Sequence, residues 1–189
     1  MIRLADGDDA AACAAIYRPI VEDTHISYEE VAPDDALMRE RIVTTVATHP
    51  WLVYEEDGAV IGYAYSYRHR ERAGYRWSVD VSVYLRQRAR GRRLGSALYA
   101  ALFRILERQR FHRAYAGIAL PNDASVALHR SMGFTDVGVY KEVGFKGGVW
   151  NDVLWLARPL GTTSDIPPPE PIWLADLDPA LVAEALNER

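Results

Sequence analysis

The chain has 189 residues, 49% of them apolar and 25% charged, which is enough for one compact domain with a full core, or one domain plus an appendage. A net charge of −4 argues against nucleic-acid binding through the surface at large, so any basic site must be local. A lone cysteine, Cys13, excludes an intramolecular disulfide; no apolar run approaches the ~20 residues of a membrane span, and MIRLADGDDA lacks the basic and apolar regions of a secretion signal, so a cytoplasmic protein is expected.

Ile2 to Ala5 reads as a short strand, and Asp6-Gly7-Asp8-Asp9 as a turn and N-cap. Residues 9–22 follow a helical spacing in Cys13, Ile16 and Ile20, with Pro19 expected to bend or end the helix. Cys13, in an alanine-rich run, reads as a small buried helix residue rather than a reactive thiol. THISYE (24–29) is a short extended piece. Pro33-Asp34-Asp35 opens a second helix reaching about His49, stopped by Pro50. Strands are expected over Trp51–Glu55 and Val60–Tyr67, joined by a turn at Glu56-Asp57-Gly58, then over Tyr75–Leu85 after a charged loop. Leu94 to Gln109 is a helix with Leu98, Leu102, Ile105 and Leu106 on one face. Ala114–Leu120 reads as a buried strand, Asn122–Met132 as a helix ended by Gly133, and Phe134–Val143 and Val149–Ala157 as the last strands. This order implies a mixed α/β layered domain over residues 1–160. A Pro-rich linker (161–177) and a short acidic amphipathic helix (178–189) follow.

Three groups of residues carry chemistry. The first is WSVDVSVYLRQRARGRRLG (77–95), an alternating strand with one carboxylate, Asp80, running into an arginine-rich turn and a helix start. Backbone N–H groups of such a turn and the positive end of the helix dipole both favour a polyanion. Taken alone, Arg86 to Arg93 reads as readily as a solvated charged loop. The second is Asn122-Asp123-Ala124-Ser125 leading to His129, which lies at i+7 from Asn122 on the same helix face. Read by itself, His129 is an ordinary core or surface histidine. None of the histidines gives a metal-ligand spacing with Cys13, so no metal site is expected. The third is the loop Arg68-His69-Arg70-Glu71-Arg72 ahead of Tyr75 and Trp77, where cations would hold an anion near Asp80, or simply line a solvated turn.

The segments IYRPIVEDTHISYE (16–29), HPWLVYEEDGAVIGYAY (49–65), YRWSVDVSVYL (75–85), AGIALPNDASVALHRSMGF (116–134) and GVYKEVGFKGGVWNDVLW (138–155) resemble the GNAT (Gcn5-related) N-acetyltransferases. Within them, the chain is most similar to the phosphinothricin and methionine sulfoximine group. The resemblance spans about residues 1–160 and implies the GNAT acyl-CoA N-acyltransferase fold, a mostly antiparallel sheet flanked by helices. It implies acetyl-CoA as cosubstrate and a homodimer. The expected reaction is acetylation of the α-amine of a small anionic amino acid (phosphinothricin, methionine sulfoximine or methionine sulfone) by direct attack on the thioester. Alternatives are a GNAT enzyme for another amine (a protein N-terminus, a polyamine, an antibiotic) and, more remotely, a nucleic-acid-binding module using the arginine turn.

The same resemblance assigns residues. The pyrophosphate turn, Arg/Gln-x-x-Gly-x-Gly/Ala, reads here Arg90-Gly91-Arg92-Arg93-Leu94-Gly95, so Arg93 stands where the pattern has its first glycine. Arg88, Arg90, Gly91, Arg92, Arg93, Leu94, Gly95 and Ser96 would hold the pyrophosphate, while Val81, Val83, Tyr84, Asn122 and Ser125 would meet the pantetheine arm. Asp80 stands where the close relatives have glutamate and is expected to deprotonate the amine, through a water if its shorter side chain falls short, or else to orient the ammonium. His129 is expected to act on the departing thiolate or in a proton relay. Arg70, Arg72 and Tyr75 would gather the substrate's anionic groups, with Tyr28 and Glu29 on the far wall.

Overall fold

The structure is a computed structural model and describes residues 1–161 and 166–188; the expected linker residues 162–165 lie outside the described residues. Seven strands form one sheet: β1 (Ile2–Leu4), β2 (Trp51–Glu56), β3 (Ala59–Arg68), β4 (Ser78–Leu85), β5 (Arg113–Ala119), β6 (Thr135–Lys146) and β7 (Val149–Pro159). Their spatial order is β1-β2-β3-β4-β5-β7-β6, and every neighbouring pair is antiparallel except β4–β5. This is the expected mostly antiparallel sheet with helices on both faces. Asp57 and Gly58 both take positive φ, the backbone of a tight two-residue hairpin turn between β2 and β3.

Helices α1 (Ala10–Asp23) and α2 (Asp35–Val46) cover one face. Asp6 and Asp9 cap the entry to α1 reciprocally, and Asp34 caps α2 by accepting from Leu37 N–H at 2.8 Å. The expectation that Pro19 would end or bend α1 is corrected only in part: the helix runs on to Asp23. Ala15, whose carbonyl Pro19 leaves without an amide donor, lies on the exposed side, while Ile16, Tyr17, Ile20 and Val21 stay buried. The strand expected from Tyr75 begins at Ser78, because Ala73–Tyr75 forms a 3-10 turn.

On the other face lies α3 (Leu94–Arg108), which buries Leu98, Leu102, Ile105 and Leu106 against Leu52, Ala64, Val79 and Val81. The strand alternation separates the two cores: odd positions of β4 up to Val83 face α3, while Asp80, Ser82 and Tyr84 face α1 and α2. The short helix α4 (Asp123–Ser131) links β5 to β6. The terminal helix α5 (Pro179–Asn187) packs on α3 of its own chain, burying Val182 and Ala185. Arg104 holds its end through the carbonyls of Ala185 (2.7 Å) and Glu188 (2.9 Å). The stretch before α5 is tied down too: Trp77 Nε1 donates to Pro169 O at 2.8 Å, and Gln109 donates to Ile172 O at 2.8 Å. No helix among the described residues is long and apolar enough to cross a membrane.

Candidate active site

The one parallel pairing creates the site. β4 and β5 are in register only at Ser78↔Arg113, Val79↔Ala114 and Asp80↔Tyr115, and then part. Beyond Asp80, β4 stays paired with β3 as far as Leu85, and β5 with β7 as far as Ala119. The facing edges of Val81–Leu85 and Ala116–Ala119 therefore have no strand between them, and a cavity of about 400 Å³ opens there. The start of α3 and one face of α4 complete its walls.

The turn from β4 into α3 aims main-chain donors at this cavity. Gly91 has φ +75° and Arg93 φ +61°, and α3 begins with no side-chain cap. The first helical amide to find an acceptor near the start is that of Ala97, on Arg93 O at 3.1 Å. The N–H groups of the preceding turn are left for a ligand, and the helix dipole places its positive end beside them. Arg90, Gly91, Arg93, Leu94, Gly95 and Ser96 all line the cavity, as do Val81, Val83, Tyr84, Asn122 and Ser125. Arg92 does not: its guanidinium is paired with Glu56 on the surface, at 2.5 and 3.0 Å. Arg88 borders a neighbouring hollow with Arg86 and Gln87. Arg93, a non-glycine residue, holds this left-handed backbone at a steric cost of roughly 1–2 kcal/mol.

His129 sits at the deep end, buried on α4, whose N-terminus is capped by Asn122 Oδ1 accepting from Ser125 N–H at 3.3 Å. His129 Nδ1 lies 2.7 Å from Ser125 O, so the ring carries its proton there. Nε2 is then the acceptor for the hydroxyl of Tyr99, at 2.9 Å. Burial lowers the His129 pKa and raises that of Tyr99 well above its usual value, so both are neutral near pH 7. The sequence reading missed Tyr99, which also lines the cavity. Its signal was a tyrosine on the apolar face of α3, one turn after Gly95, where a hydroxyl needs a partner.

At the point where β4 and β5 part, Asp80 is only 5% exposed. Its Oδ1 lies 2.6 Å from His69 Nδ1. Burial raises the Asp80 pKa to about 6, against the opposing pull of the His69 hydrogen bond. The His69 ring stacks on Tyr115, centroids 4.3 Å apart, with Tyr75 and Trp155 edge-on at 6.2 and 6.0 Å. Arg70 lies over Trp155 and donates to His69 O at 2.9 Å, leaving its charge near Asp80. Arg72 is set apart, in a hollow shared with Arg76 and Glu170, because the 3-10 turn at Ala73–Tyr75 directs it toward the segment that precedes α5. The Glu29 carboxylate is occupied: Arg41 clasps it at 2.9 Å through both nitrogens and Tyr17 donates to it at 3.0 Å, which holds its pKa below the usual carboxylate range. Tyr28 lays its ring on Gly144 of β6, where any Cβ would overlap it. Of the five expected substrate contacts, Arg70 and Tyr75 are thus brought beside Asp80.

A split parallel strand pair closed by an uncapped helix start, with a buried carboxylate at the fork, defines an acyltransferase that takes its acyl group from coenzyme A. The chain belongs to the GNAT acetyltransferases: residues 2–155 match the family described as "Acetyltransferase (GNAT) domain". It is 39% identical to a phosphinothricin N-acetyltransferase of Alcaligenes faecalis over 161 residues, 84% of this chain and 82% of that one. It is 35% identical over 156 residues to an L-methionine sulfoximine/L-methionine sulfone acetyltransferase of Salmonella typhimurium, 82% of this chain and 91% of the other. A GNAT superfamily phosphinothricin acetyltransferase from Sinorhizobium meliloti, solved in complex with acetyl-CoA, superposes with a TM-score of 0.86 at 37% identity, covering 94% and 97% of the two chains. Acetyl-CoA is the cosubstrate of this enzyme too.

Proposed function

We propose that this enzyme acetylates the α-amine of a small anionic amino acid of the phosphinothricin, methionine sulfoximine or methionine sulfone type. The observation that carries the reading is the fork of β4 and β5, where the coenzyme cavity, lined on β4 from Val81 onward, begins one residue beyond Asp80. Asp80 is paired with His69 and has nearby the guanidinium of Arg70, in no ion pair among the described residues. Arg70, with Tyr75 beside it, pairs with the substrate's carboxylate or phosphinate and aims the amine at the thioester. The Asp80–His69 pair removes a proton from the amine, and the Tyr99 hydroxyl, on turning from His129 Nε2 toward the cavity, donates to the departing sulfur. The pyrophosphate rests on the main chain of residues 93–96, with Arg90 alongside.

The active form is a homodimer in the cytoplasm. Supporting the dimer, the β6–β7 hairpin exposes Val137, Val143 and Phe145 on β6, an edge strand among the described residues, with Val149 and Trp150 beside them on β7, a surface a second copy would cover. The activity is tested by thiol release from acetyl-CoA against a panel of amino acids, a polyamine and an N-terminal peptide. Turnover is expected with the anionic amino acids, and absence of turnover with all of them refutes the reading.

A further inference from the structure

We propose that His69 Nε2, and not the Asp80 carboxylate, is the atom that takes the proton from the amine, with Asp80 as the positioning residue behind it; this rests on the acetyltransferase reading above. Aspartate is one methylene shorter than the glutamate of the close relatives, and here its side chain is spent inward. Oδ1 is engaged by His69 at 2.6 Å, and the Asp80 side chain is 7% exposed against 13% for His69, so the imidazole is the more accessible of the two. The hairpin register makes the pairing possible. Tyr67 faces Asp80, and His69 N–H donates to Ser78 O, so His69 lies diagonal to Asp80 on the same face of the sheet, within reach of an imidazole.

The tautomer follows from the contact. A carboxylate can only accept, so Nδ1 carries the proton and Nε2 carries the lone pair. Among the described residues Nε2 has no hydrogen-bond partner. The ring is prevented from turning by the Tyr115 stack and by the edges of Tyr75 and Trp155. A held imidazole with a buried carboxylate on one nitrogen and a vacant lone pair on the other is a general base, and it stands where β4 and β5 part. The charged and titratable groups around it are Asp80, Arg70 and the phenols of Tyr67, Tyr75 and Tyr115.

The step balances without further reagents. The ammonium of the substrate gives one proton to Nε2, and the ring's charge is met by Asp80 through Nδ1–H. The amine's lone pair forms the C–N bond at the thioester carbon, and the C–S bond breaks with its electron pair on sulfur. The second proton lost by nitrogen ends on sulfur as the thiol, and the proton on Nε2 leaves to solvent.

The test compares His69→Gln, His69→Ala and Asp80→Asn with the wild type. Both His69 variants are expected to lose roughly 10²–10⁴-fold in kcat, with the acetyl-CoA KM and the rise in Tm on adding CoA retained. Their residual rate should climb about tenfold per pH unit across the range where the wild type is flat, as free amine forms without a base, and added imidazole should restore rate to His69→Ala. Independently of turnover, the wild type should show a strongly downfield Nδ1–H proton resonance that disappears in His69→Gln and in Asp80→Asn. A His69→Gln rate within threefold of wild type, with Asp80→Asn inactive, overturns the proposal in favour of Asp80 as direct base. So does a wild type without the downfield resonance. A wild type that acetylates none of the amines removes the substrate reading instead, and the resonance still decides whether the pair exists.

Discussion

The two halves of the site are built from different materials. The coenzyme half is main chain: the parted edges of β4 and β5 and the N–H groups at the start of α3. The acceptor half is side chains: Asp80, His69, Tyr115, Arg70. Each half departs from the family pattern once, and the departures are absorbed differently. Arg93, expected to stand where the family turn has glycine, adopts a left-handed backbone, the conformation glycine takes most readily, so its side chain need not disturb the N–H groups of the turn. Asp80, expected to stand where the close relatives have glutamate, has a shorter reach, and it is paired with a second side chain, His69, at 2.6 Å. A main-chain site tolerates substitution wherever φ and ψ are held. A side-chain site changes in pairs.

The comparison predicts that the acceptor half stores instability that the coenzyme half does not. The Asp80 carboxyl has a folded pKa of about 6 against an ordinary 3.8, raised chiefly by burial. A raised pKa means the native state binds the proton more tightly than the unfolded chain does. Its contribution is therefore fully present below about pH 4 and is lost as pH rises through about 6, a change of about 3 kcal/mol. Asp80→Asn removes that dependence. Urea denaturation at pH 4.5, 6 and 7.5 should show the variant gaining on the wild type as pH rises, to a margin of up to about 3 kcal/mol, though its activity falls. A variant equally destabilised at all three values would mean that the carboxylate stabilises the fold and that the acceptor half carries no such cost.

A smaller effect is expected where the coenzyme cavity meets its own side-chain pair. Tyr99→Phe leaves His129 Nε2 buried without its donor, which should cost about 1–3 kcal/mol in thermal or chemical unfolding. Because the rest of that wall is main chain, CoA affinity measured by calorimetry should change less than threefold. A loss of affinity beyond tenfold would show that the cavity depends on side chains as the acceptor half does.

These differences mark how far the sequence could be read. The spacing of Leu98, Leu102, Ile105 and Leu106 places α3, and the alternation of Val79, Val81 and Val83 places β4, because both signals are local and repeat with the period of the element. The cavity was legible through the turn before α3, since the positive-φ positions and the helix start are consecutive in the chain. Arg92 was assigned to the pyrophosphate by adjacency alone; its capture by Glu56 depends on where the β2–β3 hairpin ends. Arg72 and Glu29 lie apart from Asp80 for a similar reason: Arg72 borders a hollow closed by Glu170 and Trp173, and Glu29 is clasped by Arg41, in each case groups from a distant segment. The His69–Asp80 contact was hidden by register. Eleven residues separate the two, and only the pairing Tyr67↔Asp80 makes them diagonal neighbours. A one-residue slip would put them on opposite faces. The order β5-β7-β6 was likewise beyond reach, since a hairpin does not announce which of its strands joins the sheet.

The smallest predicted effect tests the main-chain half most directly. Arg93 caps α3 with φ +61° and ψ 14°, its side chain makes no capping bond, and it borders the coenzyme cavity. Two roles are open to it: a strained backbone hinge that happens to bear an arginine, or a guanidinium placed for phosphate. Arg93→Gly separates them. Glycine relieves roughly 1–2 kcal/mol of left-handed strain but adds about 0.5–1 kcal/mol of unfolded-state entropy to overcome, so stability should stay equal or rise by up to about 1.5 kcal/mol. In a protein of this size that is a Tm change of no more than about 6 °C. CoA affinity should hold within about threefold at physiological salt, because the N–H groups of Leu94, Gly95 and Ser96 remain in place. Arg93→Ala keeps the strain and drops the charge, so it should match the wild type in stability and Arg93→Gly in affinity. If both variants lose CoA tenfold or more, and the loss shrinks as salt is raised, the guanidinium binds phosphate and this half of the site is no longer main chain alone.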